Sequence, residues 1–125
     1  VVGISSPKVT YGYASGSANT IRRTSITYPD GQVITHDYGT ANAVNDRLSR
    51  VQSIKDGSTK LAEYTYMGLD RRVVVDYVSQ PGVELTYIKL TGESDGPAGD
   101  KYTGLDRFGR VSDVRWVKGT TDLER

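Results

Sequence analysis

Few side chains in this sequence are able to do chemistry, and most of them stand in pairs. His36 is the sole histidine and lies beside Asp37 in Thr35-His36-Asp37-Tyr38. A carboxylate next to an imidazole can orient a general base. Neighbours on a strand point to opposite faces, so these two cannot easily touch, and His36 reads as an ordinary strand side chain. A second acidic group, Glu93 with Asp95-Gly96-Pro97-Ala98-Gly99-Asp100, carries oxygen ligands of the type Ca²⁺ takes. It lacks the alternating Asp/Asn spacing and the downstream Glu of an EF-hand, and reads as an acidic surface loop. Ser5-Ser6 and Ser15-Gly16-Ser17 lack the strand-to-helix setting of a nucleophile elbow. The glycines at Gly12, Gly16 and Gly31 form no phosphate loop, because no helix follows them. Arg22-Arg23 and Arg71-Arg72 are basic pairs with acids interleaved, and they read as solvated or paired across strands. With no Cys and one His, thiolate chemistry and a multi-His metal site within one chain are excluded. No catalytic, cofactor-binding or metal-binding residue is assigned, and the expectation is a protein that is not an enzyme.

The elements that hold these residues follow from composition. The 125 residues suit one domain. Lys plus Arg number 16 against 15 Asp plus Glu, a net charge of +1, which argues against a nucleic-acid binder because phosphate affinity needs a clustered basic excess. No apolar run approaches the roughly 20 residues of a membrane span. Gly is 14 and Tyr is 9, with one Phe and one Trp. Tyrosine suits a pleated surface and glycine supplies turns, so the composition is that of an all-β protein. A hydrophobic fraction of 36% makes a thick core hard to build.

Four segments resemble one another: Arg23-Thr24-Ser25-Ile26, Arg50-Val51-Gln52-Ser53-Ile54, Arg72-Val73-Val74-Val75 and Arg110-Val111-Ser112-Asp113-Val114. Asp46-Arg47, Asp70-Arg71 and Asp106-Arg107 stand just before three of them. Turn signals recur in phase at Asp30-Gly31, Asp56-Gly57, Pro81-Gly82 and Lys118-Gly119. Such pairs between apolar runs mark hairpin tips, because glycine accepts the positive φ of a tight turn. The expected strand pairs are 25–28 with 32–38, 48–54 with 59–66, and 73–78 with 83–90. A strand over 108–117 has only six residues beyond Gly119 to pair with, and is expected to lack a complete partner. About four hairpin repeats result, with a loop insertion at 91–101 in which Gly99 needs no special backbone angle. Helix is unsupported apart from a single turn conceivable in 40–47, where a connecting loop is the preferred reading.

Tyr64-Thr65-Tyr66-Met67-Gly68-Leu69-Asp70-Arg71-Arg72-Val73 and Tyr102-Thr103-Gly104-Leu105-Asp106-Arg107-Phe108-Gly109-Arg110-Val111 resemble the Tyr-Asp (YD, or Rhs-type) repeat, and Ile26–Gly31 resembles its hairpin tip. The likeness spans roughly residues 9–119. The Tyr-Asp dipeptide itself is altered, to Tyr13-Ala14, Tyr38-Gly39, Tyr66-Met67 and Tyr102-Thr103, and the Gly of Gly-Arg persists only at Gly109. The resemblance implies tandem antiparallel hairpins that form a curved open sheet, as a segment of a shell or solenoid. It also implies a secreted or cell-surface location and a longer polypeptide around the segment.

A lone hairpin cannot bury its apolar face, whereas stacked copies gain strand hydrogen bonds and a ladder of like side chains. The Asp of one repeat is expected to pair with the Arg of the next. The leading functional expectation is a structural segment without catalysis, continued by flanking repeats or by identical copies added end to end. Its alternative is a binding module that presents exposed tyrosines and the 91–101 loop to a glycan or a protein. No cofactor and no nucleic-acid partner is expected.

Overall fold

The computed structural model describes residues 6–15 and 21–125. It is all-β: the strands are β1 (Thr10–Tyr13), β2 (Arg23–Thr27), β3 (Val33–Asp37), β4 (Ser53–Asp56), β5 (Thr59–Met67), β6 (Arg71–Asp76), β7 (Val83–Thr86), β8 (Arg115–Lys118) and β9 (Thr121–Glu124). Among the described residues the helical content is one turn, α1 (Val44–Arg47), and a 3₁₀ turn at Pro97–Gly99. The chain forms two compact units, residues 1–60 and 61–125.

In the first unit, β1, β2, β3 and β4 pair in chain order and antiparallel throughout. The β2–β3 tip is the Tyr28–Gln32 turn, with Gly31 at φ +90° and the Gly31 N–H donating to the Tyr28 carbonyl. Among the described residues this unit buries no hydrophobic side chain fully; Ser53 is its one buried residue. In the second unit, β5 to β9 again pair in chain order and antiparallel. Here lies the apolar core, made of Ala62, Val73, Leu105 and Val117, with Thr86 and Arg115 buried beside it.

All four expected tips are turns with a glycine in the left-handed region: Gly31 (+90°), Gly57 (+56°), Gly82 (+76°) and Gly119 (+62°). Several strand bounds differ from the expectation. The strand expected over 48–54 starts only at Ser53, because Ser49 takes φ +53° and ends a turn closed by its N–H on the Asp46 carbonyl. The strand expected over 108–117 starts only at Arg115. Asp106 folds the chain back on itself there, its carboxylate accepting the Phe108 and Arg110 N–H groups, with Gly109 at φ +74°. β8 also has partners on both sides, β7 and the four-residue β9, so the expected lack of a partner is overturned. Residues 83–90 are strand only to Thr86; the Thr86 hydroxyl accepts the Ile88 N–H and turns the chain away. The preferred loop at 40–47 closes instead into α1, where Arg47 and Leu48 N–H groups donate to the Ala43 and Val44 carbonyls. Gly99 stands at φ +78°, so it is as constrained as the hairpin-tip glycines.

Candidate functional site

The two units are copies of one four-strand pattern, and the residues that carry it are tyrosine and arginine. In the first unit Tyr11 faces Ile26, Gly12 faces Ser25 and Tyr13 faces Arg23, with a bulge between Gly12 and Tyr13. In the second, Tyr64 faces Val75, Thr65 faces Val74 and Tyr66 faces Arg72, with a bulge between Thr65 and Tyr66. The bulge places an unpaired residue opposite the Tyr-x-Tyr strand and re-aims the side chains next to it. Each time the arginine opposite the second tyrosine reaches the ring of the first. The Arg23 guanidinium lies 5.7 Å from the Tyr11 ring centroid and that of Arg72 lies 5.2 Å from Tyr64. Such cation–π contacts are worth about 0.5–1 kcal/mol where exposed.

The match continues along the chain. Ser25 with Thr35 and Ile26 with Ile34 correspond to Val74 with Thr86 and Val75 with Leu85. Thr35 with Lys55 then corresponds to Thr86 with Arg115. Before each of those basic residues runs the same hexapeptide pattern, Asp46-Arg47-Leu48-Ser49-Arg50-Val51 and Asp106-Arg107-Phe108-Gly109-Arg110-Val111. Both turns close alike, Ser49 N–H to the Asp46 carbonyl at 3.1 Å and Gly109 N–H to the Asp106 carbonyl at 2.8 Å. The four look-alike Arg segments therefore fall into two alternating kinds. Arg23 and Arg72 sit on strands opposite tyrosine, while Arg50 and Arg110 close Asp-Arg turns.

Arg22 and Arg71 occupy equivalent places and both meet an Asp-Arg turn. Arg22 Nη1 donates to Asp46 Oδ1 at 2.6 Å, and its guanidinium stacks 4.5 Å from the Tyr38 ring. The expected pairing joins the Asp of one repeat to the Arg of the next; here the order is reversed, and the Arg precedes the Asp it holds. Arg71 lies against the Gly109 turn, where a Cβ on Gly109 would stand 3.3 Å from Arg71 Nη1, and its charge helps hold the Asp106 carboxyl below its usual value. The largest cause of that depression is the Arg110 backbone N–H. Asp106 otherwise pairs within its own turn, with Arg110 Nε at 2.7 Å.

A groove lies in each unit, and the two correspond at the places of Ile21, Arg22, Arg23 and His36. The first, of about 440 Å³, is lined by Tyr13, Arg22, Arg23, His36 and Tyr38 among others. The second, of about 480 Å³, is lined by Asp70, Arg71, Arg72, Val75, Leu85 and Tyr87. His36 is half-buried, and its Nε2 sits 3.2 Å from Arg23 Nη2. Burial, and then the Arg23 charge, lower its pKa below 6.5, so the ring is neutral at pH 7 and Nε2 accepts from Arg23. That leaves the proton on Nδ1, a buried nitrogen with no partner among the described residues, as is Arg22 Nε. Tyr38 Oη donates to the Arg23 carbonyl at 2.8 Å and fixes the strand edge beneath.

The carboxylates singled out in the sequence are held by the protein itself. Asp37 turns away from His36 to Lys55 Nζ and to the Gly39 N–H, and the Lys55 hydrogen bond is the main reason its carboxyl titrates low. Glu93 takes Arg115 Nη1 on both oxygens, at 2.7 and 2.8 Å, and the Leu90 N–H at 2.8 Å. Asp95 pairs with Lys89 at 2.7 Å, and Asp100 accepts the Tyr102 N–H. No cluster of three or more potential metal ligands occurs among the described residues. Ser6 and Ser15 are exposed, and Ser5, Gly16 and Ser17 lie outside the described residues. No helix of the described residues is long and apolar enough to cross a membrane. The sequence reading missed the two grooves and the alternation of the Arg segments; the repeated hexapeptide and the two Tyr-x-Tyr strands were the signals for both.

Comparison of the chain with family models, with curated proteins and with solved structures finds no match.

Proposed function

We propose that this chain is a structural segment of a tandem β-hairpin-repeat sheet of the YD (Rhs-type) kind, without catalysis of its own. One observation carries the reading: strand register, bulge, tyrosine–arginine clamp and Asp-Arg turn all recur between the units. A pattern repeated down to its register irregularities serves an architecture built by addition, in which each copy makes the same contacts as the last. The ionic groups fit that role, since Arg22, Lys55, Lys89 and Arg115 each hold a carboxylate that positions a turn or loop. The resemblance implies that such a segment belongs to a longer secreted or cell-surface protein. There, flanking repeats or identical copies extend the sheet along the free side of β1, which has no strand beside it among the described residues. Sedimentation with electron microscopy tests this. Concentration-dependent, end-to-end assembly supports the reading, and a monomer that persists at high concentration with β1 amides protected from exchange opposes it.

A second reading, a glycan- or protein-binding module, draws on the exposure of Tyr11 and Tyr13, 51% and 56% accessible on one strand. The 91–101 loop offers less to such a partner than its composition suggests, because Glu93, Asp95 and Asp100 are already engaged. A glycan array separates the two readings.

A further inference from the structure

We propose that the groove of the first unit binds a small organic carboxylate that carries a flat apolar face, with Arg23 as its anchor and Tyr13 as its platform. Four features of the groove select this chemistry. Among the described residues no carboxylate lines it, although two guanidinium groups and an imidazole do. Arg22 is already neutralised by Asp46, whereas Arg23 meets only the neutral His36 ring and the Tyr11 π-face among the described residues, so its charge has no counter-ion there. A guanidinium offers a planar fork that a carboxylate matches with two parallel hydrogen bonds. Beside it, the more than half-exposed Tyr13 ring offers an apolar surface for stacking. Acceptor capacity is scarce as well. Tyr38 donates its hydroxyl to the backbone, Ser49 Oγ is taken by Arg22, and two lining residues, Arg22 and His36, each keep a buried nitrogen without an acceptor among the described residues.

The second unit serves as an internal control. Its groove keeps the arginine pair as Arg71 and Arg72, but Asp70 stands where the first has Ile21, Tyr87 stands where the first has His36, and Tyr66, the counterpart of Tyr13, does not line it. A carboxylate in the wall repels a carboxylate ligand and offers Arg72 a counter-charge. The same scaffold thus binds in one copy and not in the other, and the site goes beyond the architectural role.

The test is a two-dimensional NMR titration of the whole chain with benzoate, with neutral benzamide of the same shape, with glucuronate and with inorganic phosphate. Benzoate is expected to shift the Tyr13, Arg23 and His36 signals and leave Arg72 unmoved, with an affinity at least about tenfold above that of benzamide, the ratio that one charge-assisted contact provides. Glucuronate binding at the same signals identifies sugar acids as a source of the carboxylate, and a response to benzoate alone identifies aryl acids; either supports the site. Arg23→Gln is expected to lower the benzoate affinity at least about tenfold, and Arg72→Gln to leave it unchanged. Arg23 is exposed, and an unchanged amide spectrum elsewhere shows that the variant folds. Equal binding of benzoate and benzamide, a response to phosphate as strong as to benzoate, equal response of both grooves, or full binding by Arg23→Gln overturns the proposal.

Discussion

Gly104→Ala is expected to be the most damaging single-methyl change among the described glycines. Gly104 is buried where the loop after β7 crosses the return toward β8. A Cβ there would stand 2.5 Å from the Asp113 carbonyl oxygen, 2.9 Å from the Tyr87 Cα and 3.0 Å from the Tyr87 carbonyl oxygen, all of them backbone. Nothing at this point is a flexible side-chain end that could swing aside. The same crossing holds three hydrogen bonds, Gly104 N–H to Tyr87 at 2.9 Å, and Ser112 and Asp113 N–H to the Gly104 carbonyl at 2.9 and 3.1 Å. Overpacking costs about 1–3 kcal/mol. Each backbone bond stretched or lost adds about 0.5–1.5 kcal/mol. With one or two of the three bonds compromised, the total is about 1.5–6 kcal/mol, a large part of the about 5–15 kcal/mol that stabilises a typical domain. Gly119→Ala is the matched comparison, with a positive φ and open space around it, at about 1–2 kcal/mol. Urea unfolding followed by tyrosine and tryptophan fluorescence gives both values. A Gly104→Ala loss below about 1 kcal/mol, or one smaller than that of Gly119→Ala, refutes the crossing as drawn.

Gly57→Val and Gly99→Val are expected to destabilise to a similar extent, because both glycines stand in the left-handed region with nothing near a Cβ; thermal melts that separate them widely contradict this. Glu93 holds the buried Arg115, which keeps its carboxyl below the usual 4.5, chiefly through the Arg115 hydrogen bond. A lowered folded pKa contributes stability that is fully present above 4.5 and lost as the pH falls through the lower folded value, so Glu93→Gln lowers Tm at pH 7 and shallows the acid limb of the stability curve; an unchanged acid limb counts against the pairing. The His36 ring is expected to titrate below 6.5 by NMR, and Arg23→Gln to raise its midpoint without restoring it fully, since burial is the larger cause. A midpoint at or above 6.5 in the unaltered chain contradicts the half-buried position.

The hairpin tips were legible because a tight turn between antiparallel strands requires a positive φ, and only a few residue types meet that need. Asp30-Gly31 and Asp56-Gly57 therefore announce themselves locally. The strand starts were not legible, because Ser49 and Gly109 end turns whose closure depends on the Asp46 and Asp106 carbonyls rather than on apolar alternation. Val51 and Val111 look like strand residues and lie outside strands. The separation of His36 from Asp37 followed from strand alternation alone and holds in three dimensions. The grooves were out of reach of a local reading, since each gathers side chains from strands brought together only by register. Their arginine pairs were visible as residues, but the difference that matters, Asp70 in one wall and Ile21 in the other, acquires meaning only once the two units are matched.

The central claim is that the chain is one stretch of an additive sheet, and amide hydrogen exchange across a concentration series tests it most directly. The account predicts that the β1 amides with no strand partner exchange freely in dilute solution and gain protection as concentration rises, in step with a rise in sedimentation coefficient. A monodisperse monomer at every concentration, with β1 amide exchange unchanged across the series, contradicts it.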